Sequence, residues 1–251
     1  MTALADRLRR AHSRATMVGW DFSRLDGRLS ADDPPWDFEA DCLSALRTAR
    51  TAADLGTGGG ERLLALLARM PQEDRGTIAA TEGWAPNLPV ARRALAPAGI
   101  EVLPYDSEAG DALPFAPAAL DLVMARHESF DPVEVAQSLC PGGRLLTQQV
   151  DGTEAGELRE WFGGEPQHPE VTLDRMTHDL AAAGLRIEVG EEWTGTMVFS
   201  GAEALVEYLG LVPWDVPGFD VDDHLPMLAR LDAGGSIAVT QKRFRVTAVR
   251  L

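Results

Sequence analysis

From residue 51 onward, short apolar runs alternate with segments in which apolar residues recur at helical spacing. Thr51–Leu55, Gly76–Thr81, Ile100–Tyr105, Leu120–Ala125 and Arg144–Val150 read as strands, and Glu61–Arg69, Leu88–Leu95 and Pro132–Leu139 read as helices between them. Strand and helix in regular alternation predict a parallel sheet covered by helices. Beyond it the pattern predicts a helix over Leu173–Ala183, an extended stretch at Leu185–Val189 and a helix over Ala202–Leu211. A proline-rich turn at Val212–Gly218, a helix near Asp222–Leu231 and a final strand over Phe244–Leu251 complete the chain. Residues 1–50 read as helical pieces broken by Asp32-Asp-Pro-Pro-Trp36, so they stand outside the alternating region.

Length and composition set the scale. With 251 residues, 45% of them apolar, the chain is long enough for one large α/β domain with additions. The pattern divides into an N-terminal helical extension, 1–45, and a main domain, 46–251, in which 195–235 is an insertion before the last strand. Lys and Arg total 23 against 39 Asp and Glu, a formal charge of −16. Such a surface argues against nucleic acid and anionic membranes as partners and suits a small molecule. Met1–Arg10 lacks the continuous apolar run of a signal peptide, and no later segment has the length of a membrane span, so the expected location is cytoplasmic. Cys42 and Cys140 show no metal-ligand spacing and are expected to be reduced, buried and inert; no metal is expected.

The densest chemical signal is Ala53-Asp-Leu-Gly-Thr-Gly-Gly-Gly-Glu61, where four glycines fall between the first strand of the sheet and its first helix. A turn of this kind lets a cofactor approach backbone amides and the positive helix end. A dinucleotide fingerprint, G-x-G-x-x-G, needs a glycine where Glu61 stands. Asp54 would repel a pyrophosphate but suits a cationic amino-acid moiety, which leaves the pattern Asp54-x-Gly56-x-Gly58-x-Gly60.

That pattern resembles the first motif of the class I S-adenosylmethionine-dependent methyltransferases. Ile78-Ala-Ala-Thr-Glu82 resembles the family's second strand with its terminal acid, Asp111-Ala-Leu-Pro-Phe115 and Leu120-Asp-Leu-Val-Met124 its fourth-strand region, and Leu139–Leu146 its turn into the fifth. A further likeness to an uncharacterised bacterial subgroup is carried by Gly19–Phe22, Pro35–Phe38, Thr81–Asn87, Arg126–Phe130, Thr147–Val150, Val212–Phe219 and Arg243-Phe244. The resemblance implies a doubly wound, Rossmann-like, mainly parallel sheet of seven strands with the last antiparallel, and the segments without a sheet role, 1–45 and 195–235, read as N-terminal and C-terminal lid insertions. It also implies S-adenosyl-L-methionine as cofactor and S-adenosyl-L-homocysteine as product. Its cofactor residues map onto Asp54, Gly56, Thr57, Gly58 and Gly60, and onto Glu82 and Gly83, with Glu82 on the ribose hydroxyls. Trp84 covers the adenine or ribose face, or is an ordinary partly buried aromatic. Asp106 and Ser107 share the claim to the adenine amino group, although the distance from Asp106 to Leu113-Pro-Phe115 exceeds the family's usual spacing.

In-line methyl transfer requires a nucleophile behind the methyl group and, for some acceptors, a proton acceptor. Arg126-His127-Glu128 follows the fourth strand of the alternating region, so His127 and Glu128 are the catalytic candidates, His127 as general base or as a residue that orients a loop or contacts the cofactor. Arg126 is counted with the cofactor-binding residues, and its own chemistry leaves open balancing the local acidity, binding a substrate carboxylate or a surface role. Trp20, Phe22, Trp36, Phe38, Tyr208, Trp214 and Phe219 lie in the segments without a sheet role, as an apolar lid around a substrate pocket or as core. The function expected is methyl transfer to an O or N atom of a small molecule by a monomer or homodimer. The rivals are an RNA or protein methyltransferase, a noncatalytic binder of the same cofactor, and an NAD-dependent oxidoreductase disfavoured by Glu61 and Asp54. Arg126-His-Glu-Ser-Phe130 is not the Asp/Asn-Pro-Pro-aromatic signature of the first of these.

Overall fold

The apolar alternation on the middle strands fixes the architecture. Leu122 and Met124 of β5 (Leu120–Arg126) are buried on one face of the sheet, and Val123 and Ala125 are buried on the other. A strand buried on both faces needs helices on both. The computed structural model describes residues 2–17 and 21–251. They form two compact units, the larger being 36–150, 171–192 and 244–251.

In the larger unit, β2 (Thr51–Leu55) lies between β5 and β3 (Thr77–Glu82) and is parallel to both. β4 (Glu101–Pro104) continues the parallel set beyond β3, and β6 (Leu139–Val150) continues it beyond β5. β8 (Ile237–Arg250) and then β7 (Leu185–Phe199) follow β6 in the strand order. After β6 the peptide N–H of Asp151 donates to Lys242 and that of Ala155 to Thr240, so the chain runs antiparallel to β8 there. Because the order reverses at β2, with β3 on one side and β5 on the other, the carboxyl end of β2 is the topological switch point, where an open α/β sheet leaves a crevice.

Three helices, α2 (Phe38–Leu46), α3 (Glu61–Ala68) and α4 (Leu88–Leu95), bring Phe38, Leu43, Leu63, Leu67 and Leu95 against Ile78, Val102, Leu122 and Met124. Val135 of α5 (Pro132–Ser138) and Leu180 of α7 (Leu173–Ala182) pack on the other face with Val123, Leu145 and Phe244. Capping fixes where two of these helices begin. The Asp37 side chain accepts from the Ala40 N–H at 2.9 Å, and that of Asp131 accepts from Val133 at 2.7 Å and Glu134 at 3.0 Å, just before Pro132 at the first helical position.

The smaller unit, 1–35, 151–170 and 193–243, holds α1 (Thr2–Arg14), β1 (Leu29–Ala31), α6 (Gly156–Phe162), α8 (Ala202–Leu211) and α9 (Leu225–Ala233). β1 pairs antiparallel with Met197–Phe199 of β7. Gly210 of α8 has no side chain where a Cβ would meet Ala15 and the His12 carbonyl, so the end of α1 approaches closely. Glu207, buried in α8, is neutralised by Arg24 at 2.8 Å and Arg28 at 2.5 Å. An unpaired carboxylate at that depth would cost several kcal/mol.

Several elements differ from the sequence expectation, and β6 begins at Leu139 rather than Arg144. Among the described residues the sheet has eight strands rather than seven, because β1 adds one in the segment read as helical. β7 runs past Val189 through Gly190-Glu-Glu192, whose exposed polar residues hide the strand, and β8 starts at Ile237, where Ile237 and Val239 alternate inward before Lys242-Arg243 interrupts the pattern. α6 begins at a left-handed Ala155, φ 51°, without a conventional cap, and carries no sequence signal. Both cysteines are free; Cys42 is buried, whereas Cys140 is half-buried and donates to Asp121 at 3.2 Å. No described helix is long and apolar enough to cross a membrane.

The α5 cap is testable in isolation. Asp131→Ala removes the acceptor of two helix N–H groups and is expected to lower stability by about 1 kcal/mol, read as a lower urea midpoint with an unchanged slope.

Candidate cofactor site at the switch point

Gly56, Gly58 and Gly60 all have left-handed backbones, with φ of 64°, 64° and 89°. Gly60 is the N-cap of α3, so the loop turns from β2 into the helix through conformations that residues with a Cβ adopt only at a cost. The Thr57 N–H donates to the Thr81 carbonyl at 2.9 Å, which ties the loop to β3. The strongest tie is Glu82 at the end of β3. One carboxylate oxygen accepts from the Gly58 N–H at 2.7 Å and the other from the Trp84 N–H at 2.8 Å. Glu82 is almost wholly buried. Burial pushes its carboxyl above the usual range, opposed by those N–H groups and reinforced by Asp54. Gly83 follows because a Cβ there would strike the Tyr105 carbonyl, where β4 ends.

Glu128 packs against the glycine loop at Gly56. A Cβ at Gly56 would overlap the carboxyl group of Glu128, so the missing side chain leaves room for a side chain arriving from the end of β5. Burial pushes the Glu128 carboxyl up to about 8, and the negative charges of Glu82, Asp106, Glu108 and Asp54 act in the same direction. Burial likewise raises Asp54 to about 6, offset in part by the Thr57 hydroxyl and Arg62. Three carboxyl groups therefore share one low-dielectric crevice, each disfavouring ionisation of the next.

The loops after β4 and β5 complete the rim. Ser107 donates to Ser129 at 2.9 Å, linking them. The Asp106 carboxylate accepts from Glu108 at 3.0 Å and Ala109 at 3.1 Å, so one of its oxygens closes its own turn. Trp84 is 42% exposed. Among the described residues, Arg126 at the carboxyl end of β5 has a buried Nε with no acceptor. His127 follows with φ 57°, a left-handed conformation uncommon for a residue with a side chain and frequent at functional turns. Its N–H donates to the Gln148 carbonyl at 2.8 Å, and Gln149 Nε2 donates to the Glu128 carbonyl at 2.9 Å, so consecutive residues of β6 brace the turn. The two glutamines carried no sequence signal beyond the Thr147–Val150 likeness.

The aromatic candidates divide between the units. Trp36 and Phe38 belong to the larger; the Trp36 indole donates to Gln148 Oε1 at 2.7 Å, and Phe38 is core. Phe22, Tyr208, Trp214 and Phe219 belong to the smaller, where Tyr208 is core and its hydroxyl donates to Asp215 at 2.9 Å. Trp20 lies outside the described residues.

No known family model matches the chain, and no curated protein does. Solved structures do. A protein of Bacillus halodurans C-125 provisionally assigned as a methyltransferase is 14% identical, with 84% of this chain and 96% of that one covered at a TM-score of 0.58. The YcgJ protein of Bacillus subtilis is 16% identical, covering 85% and 97% at 0.59. The [4+2]-cyclase SpnF is 17% identical, covering 98% and 93% at 0.51. The chain has the fold of the class I S-adenosylmethionine-dependent methyltransferases. A cyclase among these neighbours means that the reaction has to be argued from the site.

Glu128 gives the crevice a pH signature. Its carboxyl ionises near 4.5 in the unfolded chain but only near about 8 in the fold, so between those values the folded state holds the extra proton and stability falls as pH rises. Glu128→Gln is expected to remove that fall. Its melting temperature relative to the parent chain is expected to climb from pH 4.5 to 8 and then level, and a constant difference across this window would contradict the placement.

Proposed function

We propose that the chain is an S-adenosylmethionine-dependent methyltransferase acting on an O or N atom of a small molecule. The observation that carries this reading is the left-handed glycine loop at the switch point, gripped by Glu82 in a crevice that also holds Asp54 and Glu128. When bound, the cofactor supplies an electrophilic methyl group on a sulfonium.

The residues present fit that cofactor. Its sulfonium and ammonium charges match a crevice of three carboxyl groups, whereas a pyrophosphate would add charge of the same sign. Glu82 uses one acceptor site on each oxygen for Gly58 and Trp84, and the remaining lone pairs suit ribose hydroxyls. The unmatched Nε of Arg126 suits a carboxylate among these acids. Ser107 with Asp106 and the exposed Trp84 stand where an adenine would lie in this reading. A small molecule is favoured as acceptor by the net charge of −16, which opposes a nucleic-acid substrate.

Calorimetry with S-adenosylmethionine and NAD tests the cofactor: binding of the first and not of the second is expected. Glu82→Ala releases the Gly58 and Trp84 N–H groups and removes the ribose acceptor, so affinity is expected to fall about tenfold to a hundredfold. Gly58→Val cannot keep φ 64° without strain and is expected to abolish binding in a chain that still unfolds cooperatively. Normal binding by Gly58→Val, or a preference for NAD, would overturn the reading.

A further inference from the structure

Four residues from distant parts of the chain form one line of contacts within the larger unit: Arg245, Trp36, Gln148 and His127. The Arg245 guanidinium lies 5.2 Å from the centre of the Trp36 ring and is itself held by Asp41 and by Glu191 at 2.8 Å. This cation and aromatic pair fixes the plane of the indole. The indole N–H donates to Gln148 Oε1 at 2.7 Å, and Gln148 Nε2 lies 3.4 Å from His127 Nε2. Gln148 is almost wholly buried, and its main-chain carbonyl receives the His127 N–H.

The direction of each contact follows from the donor inventory. An indole N–H only donates, so the amide oxygen of Gln148 must face Trp36 and its NH2 group must face the histidine. An amide NH2 only donates as well, so where this 3.4 Å contact is a hydrogen bond, His127 Nε2 is its acceptor and carries no proton. In a neutral imidazole the proton then sits on Nδ1. We infer that Gln148 is a positioning residue that holds His127 as its Nδ1–H tautomer, and that Trp36, steadied by Arg245, sets the direction of the Gln148 amide. If the methyl-transfer reading above holds, accepting a substrate proton at Nε2 requires His127 to give up Gln148.

The tautomer is read without cofactor or turnover, so failure of the methyl-transfer reading leaves this inference standing, and the reverse also holds. Uniformly 15N-labelled full-length protein gives the protonation pattern of each ring from long-range proton–nitrogen correlations, and His127→Phe identifies the His127 signals by their loss. In the parent chain His127 is expected to show a protonated Nδ1 and an unprotonated Nε2. Gln148→Glu places an acceptor where the NH2 group was, and Nε2 is expected to gain a proton. Trp36→Phe removes the N–H that orients the amide while keeping a ring under Arg245, and is expected to convert the single tautomer into a mixture. An Nε2–H tautomer in the parent chain, or a His127 pattern unchanged in both variants, would overturn the inference.

Discussion

The fold and the site share one buried carboxylate. Glu82 ends β3, yet its two oxygens receive N–H groups from the turn after β2 and from its own following loop, so a single side chain fixes both sides of the crevice. A carboxylate at that burial is tolerated because charge-assisted hydrogen bonds offset the loss of water. The loop it grips is built of glycines, which lose the most conformational freedom on folding, so its hydrogen bonds to Glu82 and Thr81 matter for its shape. Without this grip, the switch point would remain a topological feature without a defined surface.

The same arrangement decides the character of the ligand. Oriented N–H groups at a helix start ordinarily attract anions. Here Asp54, Glu82 and Glu128 surround them, and burial holds Glu128 close to neutral pH in its titration. In the proposed reading, this balance favours a ligand that is cationic near the loop and offers hydroxyls to Glu82. Glu128 approaches Gly56 so closely that a Cβ would overlap it, which explains why that glycine is needed even before a ligand is considered.

Much of the frame was legible in the sequence because strands buried on both faces read as apolar runs and the helices between them repeat apolar residues at helical spacing. The limits of β2, α4 and α8 match the expected residues. What was hidden has physical reasons. β1 is three residues long and mostly exposed, so burial leaves no pattern on it, and β7 crosses an exposed polar stretch without an apolar alternation. The glycine loop and Glu82 were recognisable as a motif, but the contact of Glu128 with Gly56 was not, since it joins residues from different strands. Gln148 was invisible for the same reason: a glutamine on a strand shows its value only when Trp36 and His127 are seen on either side of it.

The charge balance of the crevice is tested most directly by the proton count of cofactor binding. Calorimetric titration of S-adenosylmethionine at pH 7, repeated in buffers of different ionisation enthalpy, measures how many protons leave with each binding event. With Glu128 held near about 8 by burial and neighbouring acids, arrival of a cation is expected to ionise it and release close to one proton, and Glu128→Gln is expected to release far fewer. Equal proton release from both proteins, or binding with none released, would contradict a cation-selective crevice built around Glu128.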